Sequence, residues 1–256
     1  MPFIEHQEQH RRAGVVGEDG GRRRQFRTTR SFHRKNFIAG IVRSSPKRSR
    51  HRLDLMNPTL AIEPSVFYFG TPVALLSTLM PGDETANITP ISSAWALDDT
   101  YVLGLSNSGR AMRNLRENGE LVINLPDAAL WESIERIADT TGVAEVPRHK
   151  REKYRYEPDK WTLGRFTPRP SGVVLPPRIA ECPVQMEARV TNMTPLGEDG
   201  DATIVHAKVL RTHVHQALTV PGTSHIDLDA WNPVYYTFRH YFSQGERVGV
   251  SFRAEQ

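Results

Sequence analysis

The sequence predicts a mainly β protein: a closed antiparallel barrel of about six strands with two or three helical excursions. Three observations carry that expectation. Short runs of apolar and β-branched residues recur between turn signals from Thr71 onward. Eighteen prolines and eighteen glycines in 256 residues punctuate the chain too often for long helices or a coiled coil. Helical spacing shows in only two short windows, near 110–118 and 127–137.

Pro72 to Met80 is an apolar run closed by Pro81-Gly82-Asp83, which reads as a strand and a turn. Thr85 to Leu97 and Tyr101 to Ser106 read as two more strands, joined at Asp98-Asp99. Ala111, Met112 and Leu115 then share one face of a short helix that ends at Asn118-Gly119. Glu120 to Leu125 returns to strand character. Pro126-Asp127 opens a second helix through Leu130, Ile134 and Ile137. Residues 139–171, basic over Pro147–Arg155, form the least regular stretch and read as an insertion over a strand end, a candidate lid. From Val184 to Met193 and from Thr203 to His215, β-branched and polar residues alternate as in half-buried antiparallel strands. The turn Glu198-Asp199-Gly200-Asp201 makes them a hairpin. An aromatic-rich tail from His225 finishes with a predicted strand over 246–252.

The charge is unevenly divided. Residues 1–55 carry 14 Lys and Arg against 5 Asp and Glu, which leaves residues 56–256 net acidic. This basic arm has little periodicity and reads as disordered. Its arginines with Phe26, Phe32 and Phe37 would suit a nucleic-acid tail. An organellar transit peptide is the second reading, against which Glu5, Glu8 and Asp19 count. The favoured reading is a start assigned too far upstream, with Met56 as the natural beginning of a 56–256 domain, so nucleic acid is not the expected partner. No apolar run long enough to span a membrane and no secretory h-region occurs, and the single cysteine excludes an internal disulfide framework. The expected setting is the cytoplasm.

Most catalytic signatures are absent: no G-x-G-x-x-G, Walker loop, G-x-S-x-G or H-E-x-x-H occurs. His213 and His215 share a strand face at a spacing a metal could use, but no third ligand is compelling, and an exposed polar face is the simpler reading. Cys182 reads as a packed core thiol. The chemical signal lies between Asn87 and Asn124. Ser106, Ser108 and Arg110 gather where a strand meets a helix start, and free helical N–H groups, hydroxyls and a guanidinium together suit a phosphate. An ordinary Ser-x-Ser helix cap is the competing reading.

The ordered segments PVALLST, NITPISS (Asn87–Ser93), RAMRNL (Arg110–Leu115), ENGELVIN (Glu117–Asn124), PPRIAECPV and the terminal His240-Tyr241-Phe242 with Gly245 resemble the flavin reductase-like family, whose fold is the FMN-binding split barrel. The resemblance covers about residues 64–252 and leaves the arm outside. It implies a homodimer that binds FMN, or FAD as a passing substrate, near the subunit interface. By the same resemblance Thr89, Pro90, Ile91, Ser92 and Ser93 would run along the flavin, and Ser106, Ser108 and Arg110 would hold its phosphate. Ala111 stands where the family often has threonine. Asn124 and Leu125 would offer backbone groups to the pyrimidine edge, His240 would lie nearest the reacting ring, and Trp95 and Trp231 could line the pocket.

Two enzyme classes follow from the resemblance. One is an NAD(P)H-dependent FMN reductase that passes hydride to flavin N5 and feeds reduced flavin to a partner monooxygenase. The other keeps FMN tightly bound as an oxidase, monooxygenase or reductase of a small organic substrate, with residues 139–171 shaping the pocket. A non-enzymatic flavin- or nucleic-acid-binding module is the third class.

Overall fold

The computed structural model describes residues 59–82, 85–197 and 200–254. The expectations for the basic arm, for Met56 and for the turn residues Asp83, Glu198 and Asp199 lie outside the described residues. The first half contains β1 (Phe69–Pro72), β2 (Ala74–Thr78), β3 (Asn87–Ile91), β4 (Ala94–Leu97), β5 (Thr100–Ser106), α1 (Arg110–Glu117) and β6 (Glu120–Leu125). A middle section follows with α2 (Trp131–Ala138), β7 (Thr140–Thr141), β8 (Arg155–Tyr156), α3 (Lys160–Gly164), β9 (Pro168–Arg169) and β10 (Arg178–Ile179). The chain ends with β11 (Val184–Leu196), β12 (Ala202–Val214), β13 (Val234–Thr237) and β14 (His240–Ser243).

Seven strands form one sheet in the order β3-β2-β6-β11-β12-β5-β4, every pair antiparallel. Its two edge strands, β3 and β4, are neighbours in sequence, separated only by Ser92 and Ser93. Three Cα steps reach about 11 Å at most, so the sheet has to curl until its edges meet. That closure is the barrel. It also corrects the single strand expected over 85–97, because the chain turns at Ser92-Ser93 to pass from one edge to the other. At the turn, Gly104 N donates to Ser93 O at 2.8 Å, and the Ser93 and Tyr68 hydroxyls are 3.1 Å apart.

Alternation along the strands divides the apolar residues between two cores. Leu76, Leu103, Leu105, Leu121, Ile123 and Val205 fill the barrel interior, where Met112 and Leu115 of α1 join them. Leu75, Ile88, Ile134, Ile137, Trp161 and Cys182 form a second core outside β2 and β3, under α2 and α3. Buried on both faces, β2 reads as a continuous apolar run rather than an alternating one. Cys182 is a fully buried thiol, and desolvation pushes its pKa up.

The second helix starts as a 3₁₀ turn over Ala128–Leu130, with Asp127 accepting from Ala129 N at 2.8 Å, and continues as α2. Segment 139–171 is more ordered than its sequence suggests. Thr140 and Thr141 pair in parallel with Arg155 and Tyr156. Asp159 caps α3 by accepting from Thr162 N at 3.0 Å, and Trp161 Nε1 donates to Ala86 O at 2.7 Å. The segment is thereby anchored in the outer core.

The strand expected over 246–252 is absent. The last strands are β13 and β14, joined by a two-residue turn in which Phe238 and Arg239 both have positive φ. Beyond them Val248, Val250 and Phe252 are 103%, 76% and 92% exposed. Alternation alone makes no strand without an edge to pair with and a face to cover.

Candidate functional site

A cleft that gathers two of the expected residues, Thr89 and Arg110, lies where β3, α1 and segment 139–171 converge. Thr89, Gly109, Arg110, Thr140, Thr141, Gly142, Lys150, Tyr154 and Lys160 line it, around a cavity of about 10 Å³. Thr89 is buried on β3, and its Oγ1 accepts from Asn87 Nδ2 at 2.8 Å. The loop from β5 into α1 is held at several points. Asn107 Nδ2 donates to Gly200 O, and Asn107 Oδ1 accepts from Thr203 Oγ1 and from the Arg116 guanidinium Nη2, each at 2.7 Å. This fixes the direction in which the N-terminus of α1 points.

That N-terminus has no side-chain cap. Gly109 is the N-cap residue and makes no side-chain cap hydrogen bond, and the first turn holds no acidic residue. The ordinary Ser-x-Ser cap is therefore not what Ser106 and Ser108 form. Their hydroxyls are 3.0 Å apart, and Lys150 Nζ donates to Ser106 Oγ at 3.2 Å. An uncapped helix start keeps its orphan N–H groups and positive dipole end available to an anion.

Two lysines from segment 139–171 complete the cleft, and the sequence reading had missed both as site residues. Lys160 opens α3 with only 3% of its surface exposed, and its Nζ donates to Thr140 O at 3.2 Å. Desolvation lowers its pKa to about 8, against the upward pull of the Glu157 and Asp139 charges. Lys150, partly buried, is also lowered to about 8 by desolvation. No Asp or Glu lines the cleft among the described residues. The basic run around Lys150 is visible in the sequence. Nothing local marks Lys160, which looks like any lysine after a helix cap.

The other expected residues are placed as follows. Pro90 and Ile91 continue β3, with Ile91 in the barrel core. Ser92 is buried and its Oγ has no hydrogen-bond partner, while Ser93 faces Tyr68. Ala111 is 2% exposed beneath the first turn of α1. Asn124 is fully buried between β2 and β11, opposite Leu75 and Gln185. Its Nδ2 donates to Leu75 O, Ser77 Oγ and Val122 O, and its Oδ1 accepts from Ile179 N. Asn124 is thus a strut of the barrel wall, and Leu125 packs against the inner core. Neither lines the cleft, nor do Trp95, Trp231 and His240. His240 is exposed on β14, its Nδ1 2.8 Å from Phe238 O, and Trp95 is 55% exposed on β4. His213 pairs with Glu187 at 2.6 Å and His215 with Ala180 O at 2.9 Å, both half-buried. No group of metal-ligating side chains forms among the described residues.

Comparison with known proteins matches residues 66–245 to the model of the flavin reductase like domain. The chain belongs to that family. A Bacillus subtilis (strain 168) protein described as uncharacterized protein YdfE is 39% identical over 195 residues, which are 76% of this chain and 93% of that protein. Among solved structures, flavoredoxin from Methanosarcina acetivorans superposes with a TM-score of 0.62 at 17% identity, covering 77% of this chain and 97% of its own. Nitrilotriacetate monooxygenase component B from Bacillus cereus gives 0.60 at 22% identity, covering 76% and 100%. These likenesses establish the split-barrel fold. No helix among the described residues is long and apolar enough to cross a membrane.

Proposed function

We propose that this family member is an NAD(P)H-dependent FMN reductase whose flavin phosphate sits in the cleft between β3, α1 and segment 139–171. The observation that carries the reading is the donor set. Arg110, Lys150 and Lys160, threonine hydroxyls and a helix start without a side-chain cap converge there, which is the chemistry of a phosphate site. The residues present therefore fit FMN. When bound, the flavin supplies the hydride acceptor for NAD(P)H and returns electrons to a second acceptor.

The chain's own part is binding and orientation. Arg110 and the lysines fix the phosphate end, and the α1 dipole adds positive potential there. Thr89 to Ser93 lead from that end along β3 to the edge of the barrel, so a flavin anchored at the phosphate is directed along them. His240 stands outside the cleft, and hydride transfer to a flavin requires no acid from it.

On this reading residues 56–256 are the functional unit, a basic arm precedes it, and the protein acts in the reducing cytoplasm as a homodimer. Exposed Trp95 and Leu97 on β4, with Val248, Val250 and Phe252 near the end of the chain, supply apolar surface for a second copy. A partner monooxygenase would receive the reduced flavin. The test is a visible spectrum of the purified protein mixed with FMN and then separated from free flavin, followed by NADH and NADPH consumption with and without added FMN. Bound flavin and FMN-dependent consumption are expected. Neither binding nor FMN-stimulated turnover would refute the proposal.

A further inference from the structure

We propose that residues 144–154 are a lid, shut over the cleft by the contact between Lys150 and Ser106, and that a ligand enters only when this latch opens. The identity of the ligand rests on the functional reading above; the lid itself does not.

The cleft has polar donors but almost no room. About 10 Å³ lies between its walls, space for roughly one water, whereas pockets that take small molecules run to about 300–1,000 Å³. For anything larger to enter, a wall has to move. Most of the lining belongs to the packed body of the protein. Thr89, Thr140, Thr141 and Lys160 are buried, and Arg110 opens α1, whose Ala111, Met112 and Leu115 are buried as well. Trp161 and Phe166, just after Lys160, are set in the outer core. Close packing of that kind resists displacement. Lys150 and Tyr154 complete the lining, and both come from a loop of different character.

None of residues 144–154 is buried, and seven of these eleven are exposed. The two ends of the loop are pinned side by side. Thr140 and Thr141 pair with Arg155 and Tyr156, Arg155 N donates to Asp139 O at 3.1 Å, and Glu157 N donates to Thr141 O at 2.9 Å. Val143, 2% exposed, fixes the entry. Between the pinned ends the loop bonds to itself. Arg148–Lys150 form one 3₁₀ turn, Lys150 N donates to Pro147 O and Tyr154 N to Lys150 O, each at 2.8 Å, and Arg151 Nε donates to Val146 O at 2.9 Å. A compact surface loop with adjacent ends can swing as a unit, and local opening belongs to segments with few buried contacts. Across the cleft, Lys150 Nζ donates to Ser106 Oγ at 3.2 Å. Ser106 ends β5, and Asn107 beside it is tied to Gly200 and Thr203. The latch therefore joins the loosest wall of the cleft to a fixed one.

The experiment measures amide hydrogen exchange of the ligand-free full chain by mass spectrometry, for wild type, Lys150→Met, Ser106→Ala and the exposed control His149→Ala. In wild type the amides of 144–154 should exchange faster than those of β2 and β6 and more slowly than an unstructured peptide, as expected of a lid that opens from a closed state. Either latch variant should speed exchange across 144–154 by about tenfold, the weight of one hydrogen bond, and leave β2 and β6 unchanged. Limited trypsin cleavage after Arg148, Arg151 and Lys153 should rise by the same factor, because cleavage tracks the open population. His149→Ala should change neither. Exchange in 144–154 as slow as in the strands, or fast from the outset and insensitive to both latch variants, would overturn the inference. The wild-type comparison decides the matter if a variant fails to fold. Stopped-flow fluorescence then follows FMN association. Its rate should level off at high FMN, at a value raised in both latch variants. A rate that climbs in proportion to FMN and ignores the latch overturns the gating and leaves the flavin reading intact. If no flavin binds, the functional reading fails, and hydrogen exchange alone judges the lid.

Discussion

Gly142 lines the cleft with no room for a side chain, and Gly142→Ala should damage both stability and flavin binding. The backbone there is in an ordinary region, so the effect is one of space. An added Cβ would overlap Asn87 Oδ1 and lie 3.1 Å from Arg110 Cγ and 3.3 Å from Arg110 Cβ. Asn87 is only 8% exposed and holds Thr89 Oγ1 at 2.8 Å, so it has little room to withdraw. Losing that hydrogen bond costs about 1 kcal/mol, and the crowding itself costs about 1–3 kcal/mol. The expected destabilisation of roughly 2–4 kcal/mol is a large share of a typical 5–15 kcal/mol. Displacement of Arg110 should also weaken FMN by about tenfold or more. Urea unfolding of the ligand-free protein measures the first effect and fluorescence titration the second. Gly82→Ala is the control: its φ is +74° and nothing lies within 4 Å of the added atom, so only backbone strain of about 1–2 kcal/mol remains. Adding Asn87→Ala to Gly142→Ala removes the overlapping oxygen and should recover part of the loss as a coupling energy. If Gly142→Ala costs no more than Gly82→Ala and FMN affinity is unchanged, the packing argument for this cleft is wrong.

Arg110→Ala should weaken FMN by about 10- to 150-fold, the equivalent of roughly 1.5–3 kcal/mol for a charge-assisted bond, and riboflavin hardly at all. Equal losses for the two flavins in the same titration would place the phosphate elsewhere. The pH dependence follows from Lys160, whose folded pKa of about 8 lies below the ordinary value of about 10.4. Between these two values the unfolded chain binds more protons than the folded one, so the ligand-free protein gains stability as pH rises through 8. From pH 7 to 9.5 the gain from this residue is about 2 kcal/mol, with Glu157 and Asp139 opposing the shift and Lys150 and Arg110 sharing the cleft. FMN affinity should fall over the same range as the cation is lost. Urea midpoints for wild type and Lys160→Met that move in parallel with pH would refute this assignment.

The sequence by itself determined what depends on neighbours along the chain. The alternation in β11 and β12, the apolar run of β2, the helical face of Ala111, Met112 and Leu115 and the buried Cys182 are all local consequences of side-chain period and polarity. The ordered motifs from PVALLST to His240-Tyr241-Phe242 were together enough to place the chain in its family. Tertiary structure decided the rest. Thr85 to Leu97 carries no mark of the break at Ser92-Ser93, which arises because the barrel's two edges have to meet there. Residues 246–252 alternate like a strand and remain unpaired, since hydrogen-bond partners are a property of the sheet and not of the segment. The sequence gives no sign that the Asn124 side-chain amide is taken up by β2, Val122 and Ile179, which only the folded sheet brings around it. Lys160 is the clearest case. It lies 71 positions from Thr89 in sequence, and only the closure of the sheet and the anchoring of Trp161 bring the two into one cleft. Whether a lysine is a solvated surface charge or a buried cation in need of an anion depends on what packs around it.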